Sequence, residues 1–118
     1  MKGPLGIIPV LPSSDIERDI QWYKKHTGFE LVFGDNMYAG LQRDNLELHL
    51  QWHADTDDDP LLGGSVIKIF VEDVTPFFEE FHERGTVPKD KLRKTFWGTY
   101  EFGFHDPNKN AIFIVQDL

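Results

Sequence analysis

The chain has 118 residues, no cysteine, 40% hydrophobic and 14% aromatic residues, and a formal net charge of −8. That length suits one domain with apolar material enough for a core, while the missing cysteines exclude disulfides and thiolate metal sites. The acidity opposes a nucleic-acid partner, with no Lys/Arg stripe to offset it, and suits cationic small molecules instead.

No apolar run reaches the roughly 20 residues that span a bilayer. The start, Met1 to Leu5, is too short and too broken by Gly3 and Pro4 to form a signal peptide. A cytoplasmic protein without a membrane partner is expected. Gly6 to Leu11 reads as the first strand, ending at Pro12. Ser14 and Glu17, three apart, predict a capping box at the start of a helix. Ile16, Ile20 and Tyr23 form its apolar stripe with Trp22 on the flank, and Gly28 supplies a left-handed stop. Phe29–Phe33, Met37–Arg43 and Leu46–Trp52 read as strands, with turns at Gly34-Asp35-Asn36 and Asp44-Asn45.

The same order then repeats. Val66–Val71 is a strand, Thr75-Pro76 opens a second helix with Pro at its first position, and Phe77, Phe78 and Phe81 form the buried stripe. Gly85 ends that helix. After a polar stretch, Tyr100–Phe104 and Ala111–Val115 are strands joined by the turn Asp106–Asn110. Asp15 and Asp73 stand 58 residues apart, and the helix-ending glycines Gly28 and Gly85 stand 57 apart. The near-constant offset predicts two βαβββ modules, about 6–54 and about 65–118, within one α+β domain covering 1–118. Asp55 to Gly64 would link them. Helices on the outside would leave the opposite sheet faces to line a shared cleft.

Strand alternation assigns side chains to that cleft. Glu47, His49 and Gln51 point away from the leucines of their strand; Val66, Lys68 and Phe70 do the same in theirs, and Ala111, Phe113 and Val115 share a face. Lys68 is expected to pair with Glu47 or with an anionic group of a ligand. Glu47 and His49, with His53, have the residue types for a divalent cation, yet polar pairs two apart are also what any half-exposed strand shows. His26, His82 and His105 read as surface or turn residues. Phe33 and Tyr38 flank a turn, and Trp97 stands beside Gly98, so aromatic walls for a flat or cationic ligand are available there. No phosphate loop, Ser-His-Asp order or paired catalytic carboxylates can be assembled, so no catalytic residue is assigned.

Ile8-Pro9-Val10-Leu11 followed by Asp15-Ile16, Trp22-Tyr23 and Gly28-Phe29 resembles the opening of bleomycin-resistance proteins. These are members of the glyoxalase/bleomycin resistance/dioxygenase (vicinal oxygen chelate) superfamily. The likeness continues through Tyr38-Ala39-Gly40, Arg43 to Leu48, Trp97 to Phe102 and His105 to Asn108. It implies paired βαβββ modules, a homodimer with ligand grooves at its interface, and an N-terminal strand exchanged between subunits about a hinge near Pro9. It also implies groove walls at Phe33, Tyr38, Trp97 and Gly98, with Gln51 as a polar groove position. The four metal-ligand positions of the metalloenzymes map onto Ile8, Glu47, Val66 and Phe113, of which only Glu47 carries a donor. The reading that follows is a metal-independent binder without cofactor. It sequesters a bulky cationic or planar small molecule with Phe33, Asp35, Tyr38, Glu47, His49, Gln51, Lys68, Trp97, Gly98 and Phe113. The alternatives are a metal-dependent lyase, thiol transferase or dioxygenase using Glu47 and His49, and a domain serving an unrelated metabolite.

Overall fold

The computed structural model describes residues 2–118, and its elements fall into two four-stranded sheets. The first contains β1 (Val10–Ser13), β2 (Glu30–Gly34), β3 (Tyr38–Arg43) and β4 (Leu46–Trp52) in the order β1-β4-β3-β2. The second contains β5 (Val66–Phe70), β6 (Arg93–Lys94), β7 (Thr99–His105) and β8 (Ala111–Asp117) in the order β5-β8-β7-β6. In each, the first strand lies parallel to the last and the others run antiparallel. Helix α1 (Ile16–Thr27) follows β1, and α2 (Val74–Glu83) follows β5. The two modules therefore share one topology, and the fold is α+β.

Register carries the repeat down to single residues. Val10 pairs with His49, and Lys68, 58 positions later, pairs with Phe113. Gly40 faces His49 as Gly103 faces Phe113.

Several local details differ from the sequence expectation. The first strand begins at Val10 and runs through Pro12, leaving residues 3–9 without regular structure. Pro12 is tolerated because β1 is an edge strand, where an amide can be spared. The cap of α1 is Asp15, whose side chain accepts from the Arg18 amide; Ser14 instead donates through its amide and hydroxyl to Asn108 Oδ1. Asp73 caps α2, so Pro76 is its third residue, still within the first turn, where no amide has a helical acceptor. Gly28 and Gly85 have φ of 77° and 81°, the left-handed stops expected of them. The polar stretch holds a two-residue strand, Arg93–Lys94, pairing with Tyr100 and Glu101.

One apolar core serves both modules. Leu11, Leu41, Leu48 and Leu50 from the first sheet join Phe102, Ile112 and Ile114 from the second, with Tyr23 and Phe81 from the helices. The faces that the modules share are thus their helix-side faces, and the opposite faces stay open instead of enclosing one cleft within the chain. Two polar clusters lock the halves together. At one end, buried Asp19 accepts from Ser13 Oγ and from Asn108 Nδ2 (2.6 Å), while Tyr23 OH donates to Asp106 Oδ2 at 2.6 Å. Burial, with the Asp106 carboxylate alongside, pushes the Tyr23 phenol well above its usual range. At the other end, Arg43 grips Glu80 through two bonds of 2.7 and 2.6 Å, and Arg84 adds a third at 2.7 Å. Arg43 and Arg84 together hold the Glu80 carboxyl below its ordinary range.

The residues ahead of β1 do not join that core. Leu5 is 106% exposed and Ile7 93%. Residues 5–9 line a cavity of about 600 Å³ with Phe29, Asn45–Leu48 and Ile67–Phe70, and Pro9 O still accepts from the His49 amide of β4 at 2.9 Å. The radius of gyration, 15.2 Å, exceeds the ~13.5 Å of a compact chain of this length. No helix among the described residues is long and apolar enough to cross a membrane.

Candidate functional site

On the open face of the first sheet, alternation places Glu47, His49 and Gln51 opposite buried Leu48 and Leu50. Pairing then builds two rows across it, Val10–His49–Gly40–Phe33 and Pro12–Gln51–Tyr38. A register shift between Leu31 and Phe33 brings the Phe33 ring over Gly40. A Cβ on Gly40 would lie 2.2 Å from that ring, so only glycine lets it settle there. Phe33 and Tyr38 both meet the His49 imidazole edge-on, at 5.2 and 5.3 Å between ring centres.

His49 is fixed from both sides. Its Nδ1 lies 2.7 Å from Tyr38 OH, and its Nε2 lies 2.6 Å from Glu47 Oε2. With the proton on Nε2, the phenol donates to Nδ1 and the imidazole donates to the carboxylate, and all three groups are satisfied. Asp35 Oδ1 accepts from the amides of Met37 (2.8 Å) and Tyr38 (3.1 Å), so it shapes the turn that presents Tyr38. Phe33, Asp35, Tyr38, Glu47, His49 and Gln51 are therefore together on one open face. The row assignments for this face contain no Lys or Arg.

The remaining expected site residues lie on the second module. Lys68 and Phe113 are cross-strand partners, and the Phe113 ring covers Gly103 as Phe33 covers Gly40. Lys68 is not among the ion pairs of the described residues, so the expected Lys68–Glu47 pair is replaced by Glu47–His49. Trp97 is 53% exposed at the β6–β7 turn, with Phe96 edge-on at 4.8 Å and the Arg93 guanidinium 5.8 Å from its ring centre. Gly98 has φ of 95° and open space beside it, so it is required by the turn. No ring pair joins Trp97 to Phe33 or Tyr38 within the chain; its ring partner is Phe96.

The residues present do not fit a metal of the kind this fold holds in its enzymes. Continuing the register of β1 and β4 sets Ile8 opposite Glu47, while Val66 pairs with Ala111. The side chains at three of the four positions that the resemblance implies, Ile8, Val66 and Phe113, have no lone pair to give, and neither has Ala111 beside Val66. The Glu47–His49–His53 set is not assembled either. Both ring nitrogens of His49 are engaged, and His53 Nδ1 is held by Asp59 at 2.7 Å. Among the described residues, no three His, Asp or Glu side chains are grouped as metal ligands.

Sequence reasoning missed one feature of this surface. Lys89, Lys91, Arg93 and Lys94 are four of the chain's 12 Lys and Arg residues, packed into six positions, so a basic stripe does exist. Pairing of Arg93 with Glu101 sets the arginine on the open face of the second sheet. The run of cations in an acidic chain was the available signal.

Comparison with known proteins agrees with this geometry. A bleomycin resistance protein of Geobacillus stearothermophilus is 26% identical over 129 aligned positions, covering 97% of this chain and 98% of the relative. A solved bleomycin-binding protein complexed with bleomycin superposes with a TM-score of 0.79 at 23% identity, covering 96% and 98% of the two chains. The bleomycin-binding protein of bleomycin-producing Streptomyces verticillus, complexed with copper(II)-bleomycin, gives 0.74 at 26% identity over 97% of each. Residues 8–114 match the family profile of the Glyoxalase/Bleomycin resistance protein/Dioxygenase superfamily. With its paired modules and open aromatic faces, the chain belongs to that superfamily.

Proposed function

We propose that this protein is a cytoplasmic homodimer that sequesters a bulky, planar, cationic small molecule without altering it, with bleomycin-type glycopeptides as the leading ligand class. The observation that carries the reading is the open face of the first sheet. Phe33 covers Gly40 beside Tyr38, with Glu47 in the next row and no Lys or Arg among them. Aromatic rings next to a carboxylate whose one side-chain partner is an imidazole suit a flat cation. The solved relatives that carry the bleomycin-binding name, and the curated one named for bleomycin resistance, support the ligand class.

Dimerisation completes the groove. One wall is Phe33, Asp35, Tyr38, Glu47, His49 and Gln51 of one protomer; the other is Lys68, Trp97, Gly98 and Phe113 of its partner. Support comes from apolar side chains with nothing to cover them, Val66 at 59% and Phe70 at 60% exposed on the second sheet. The opposite charge of the two faces supports the same pairing. Leu5 and Ile7, projecting ahead of Pro9, fit an arm exchanged with the partner. A metal-dependent reaction is disfavoured because three of the four ligand positions are apolar.

A titration with bleomycin, followed by the intrinsic fluorescence of Trp97, tests the reading. A saturable change is expected, with affinity lowered about 10-fold or more by Phe33→Ala, since a lost aromatic contact of this size is worth ~1.5 kcal/mol or more. No response from bleomycin up to millimolar concentration would remove this ligand class.

A further inference from the structure

Two faces of opposite electrical character arise from one duplicated module. Between the segment 89–94 and the open face of the second sheet lies a pocket of about 420 Å³. Its floor is the Phe113 ring over Gly103, and its rim carries Lys91, Arg93 and His105 with one carboxylate, Asp90, so that cations outnumber the acidic group. Lys68, cross-strand from Phe113, lines the neighbouring cavity under residues 5–9 instead.

These cations are not neutralised within the chain. Lys68, Lys91 and Arg93 take part in none of the ion pairs among the described residues. Arg93 has a carboxylate directly opposite in the register, Glu101, yet that residue is buried and accepts from Thr99 Oγ1 at 2.7 Å. The guanidinium instead lies over Trp97. An arginine held on an aromatic face keeps its N–H donors free for a planar oxyanion.

We propose that this pocket is an oxyanion-recognition site, so that beyond the cationic class the groove also accepts flat molecules bearing a phosphate, phosphonate, sulfonate or carboxylate group. Phe113 packs against the flat body, while Arg93 and Lys91 donate to the acidic group and His105 closes the side. The inference rests on the groove reading and adds to it. A ligand with one cationic and one acidic end would match both walls, its cation on Glu47 of one protomer and its oxyanion on Arg93 of the other. The competing use of these cations, neutralising Glu30 and Glu47 across a dimer interface, predicts no gain for an acidic ligand.

Two fluorescent probes that differ by a single sulfonate, anilinonaphthalene sulfonate and phenylnaphthylamine, separate these cases on the full-length chain. The sulfonate should bind about 10-fold tighter, the typical gain from charge-assisted hydrogen bonds. The Lys91→Gln/Arg93→Gln variant should bring the two affinities level, the loss falling on the sulfonate. Inorganic phosphate should displace the sulfonate more effectively than sodium chloride at matched ionic strength. Equal affinities in the unaltered protein, or a preference that survives in the variant, would overturn the oxyanion site while leaving an aromatic groove. Displacement by chloride as strong as by phosphate would also overturn it, showing only screening. Binding of neither probe would overturn the groove and the site together.

Discussion

Asp106→Ala is expected to destabilise the fold by about 3–5 kcal/mol, the range found when a buried charged acceptor is removed from its partners. Asp106 is nearly inaccessible and serves four donors: Tyr23 OH, Asn110 Nδ2, and the amides of Asn108 and Asn110. Three of these bonds hold the 106–110 turn, one ties α1 to it, and Asn110 also reaches across to Pro12 O at 3.1 Å. Losing the carboxylate strands every donor in a site too buried for water to replace it freely. Tyr23→Phe should cost only about 1–2 kcal/mol, because it deletes one bond and keeps the ring that packs on Trp22. Urea unfolding of the two variants measures both values. A loss near zero for Asp106→Ala would mean that the Asp106 bonds contribute nothing to joining the modules.

Removing residues 2–9 should abolish the dimer at micromolar concentration while leaving the two sheets folded. Leu5, Ile7 and Ile8 are exposed in the single chain, and each would gain roughly 1.5–3 kcal/mol by full burial against a partner. Their joint loss, about 5 kcal/mol or more, raises the dissociation constant more than a thousandfold. The sheets should survive because β1 pairing begins at Val10, beyond the deletion. Sedimentation velocity, with circular dichroism as the folding control, reads the outcome. An undiminished dimer after truncation would disprove arm exchange, and a monomeric full-length chain would disprove the dimer.

Much of this architecture is legible in the sequence because period and punctuation are local properties. The two left-handed glycines, the alternation of Leu48 and Leu50 against Glu47, His49 and Gln51, and the 58-residue offset all follow from backbone geometry and burial. The parts that escape depend on distant partners. Asp19 sits on the buried face of α1 with Ile16, Tyr23 and Thr27, and a carboxylate there makes sense only once Ser13 and Asn108 arrive to bond it. β6 is two residues long and exists through its pairing with β7. The first strand is displaced towards Pro12 because pairing with β4 outweighs the local apolar run at Gly6–Leu11.

The candidate site divides along the same line. Tyr38, Glu47, His49 and Gln51 are near one another in sequence and on adjacent strands, so alternation collects them, whereas Phe33 joins them through the register shift in β2. Arg93 reaches the opposite wall through a register that no local pattern encodes. The preference of Glu47 for His49 over Lys68 likewise depends on how the modules pack.

The central claim is that two open faces from two copies of this chain hold a ligand and do no chemistry on it. Native mass spectrometry of the full-length protein mixed with bleomycin tests this in one spectrum. The predicted species is a dimer carrying ligand at both grooves, with the released ligand unchanged in mass. A monomer with no ligand retained, or a ligand recovered with altered mass, would contradict the account.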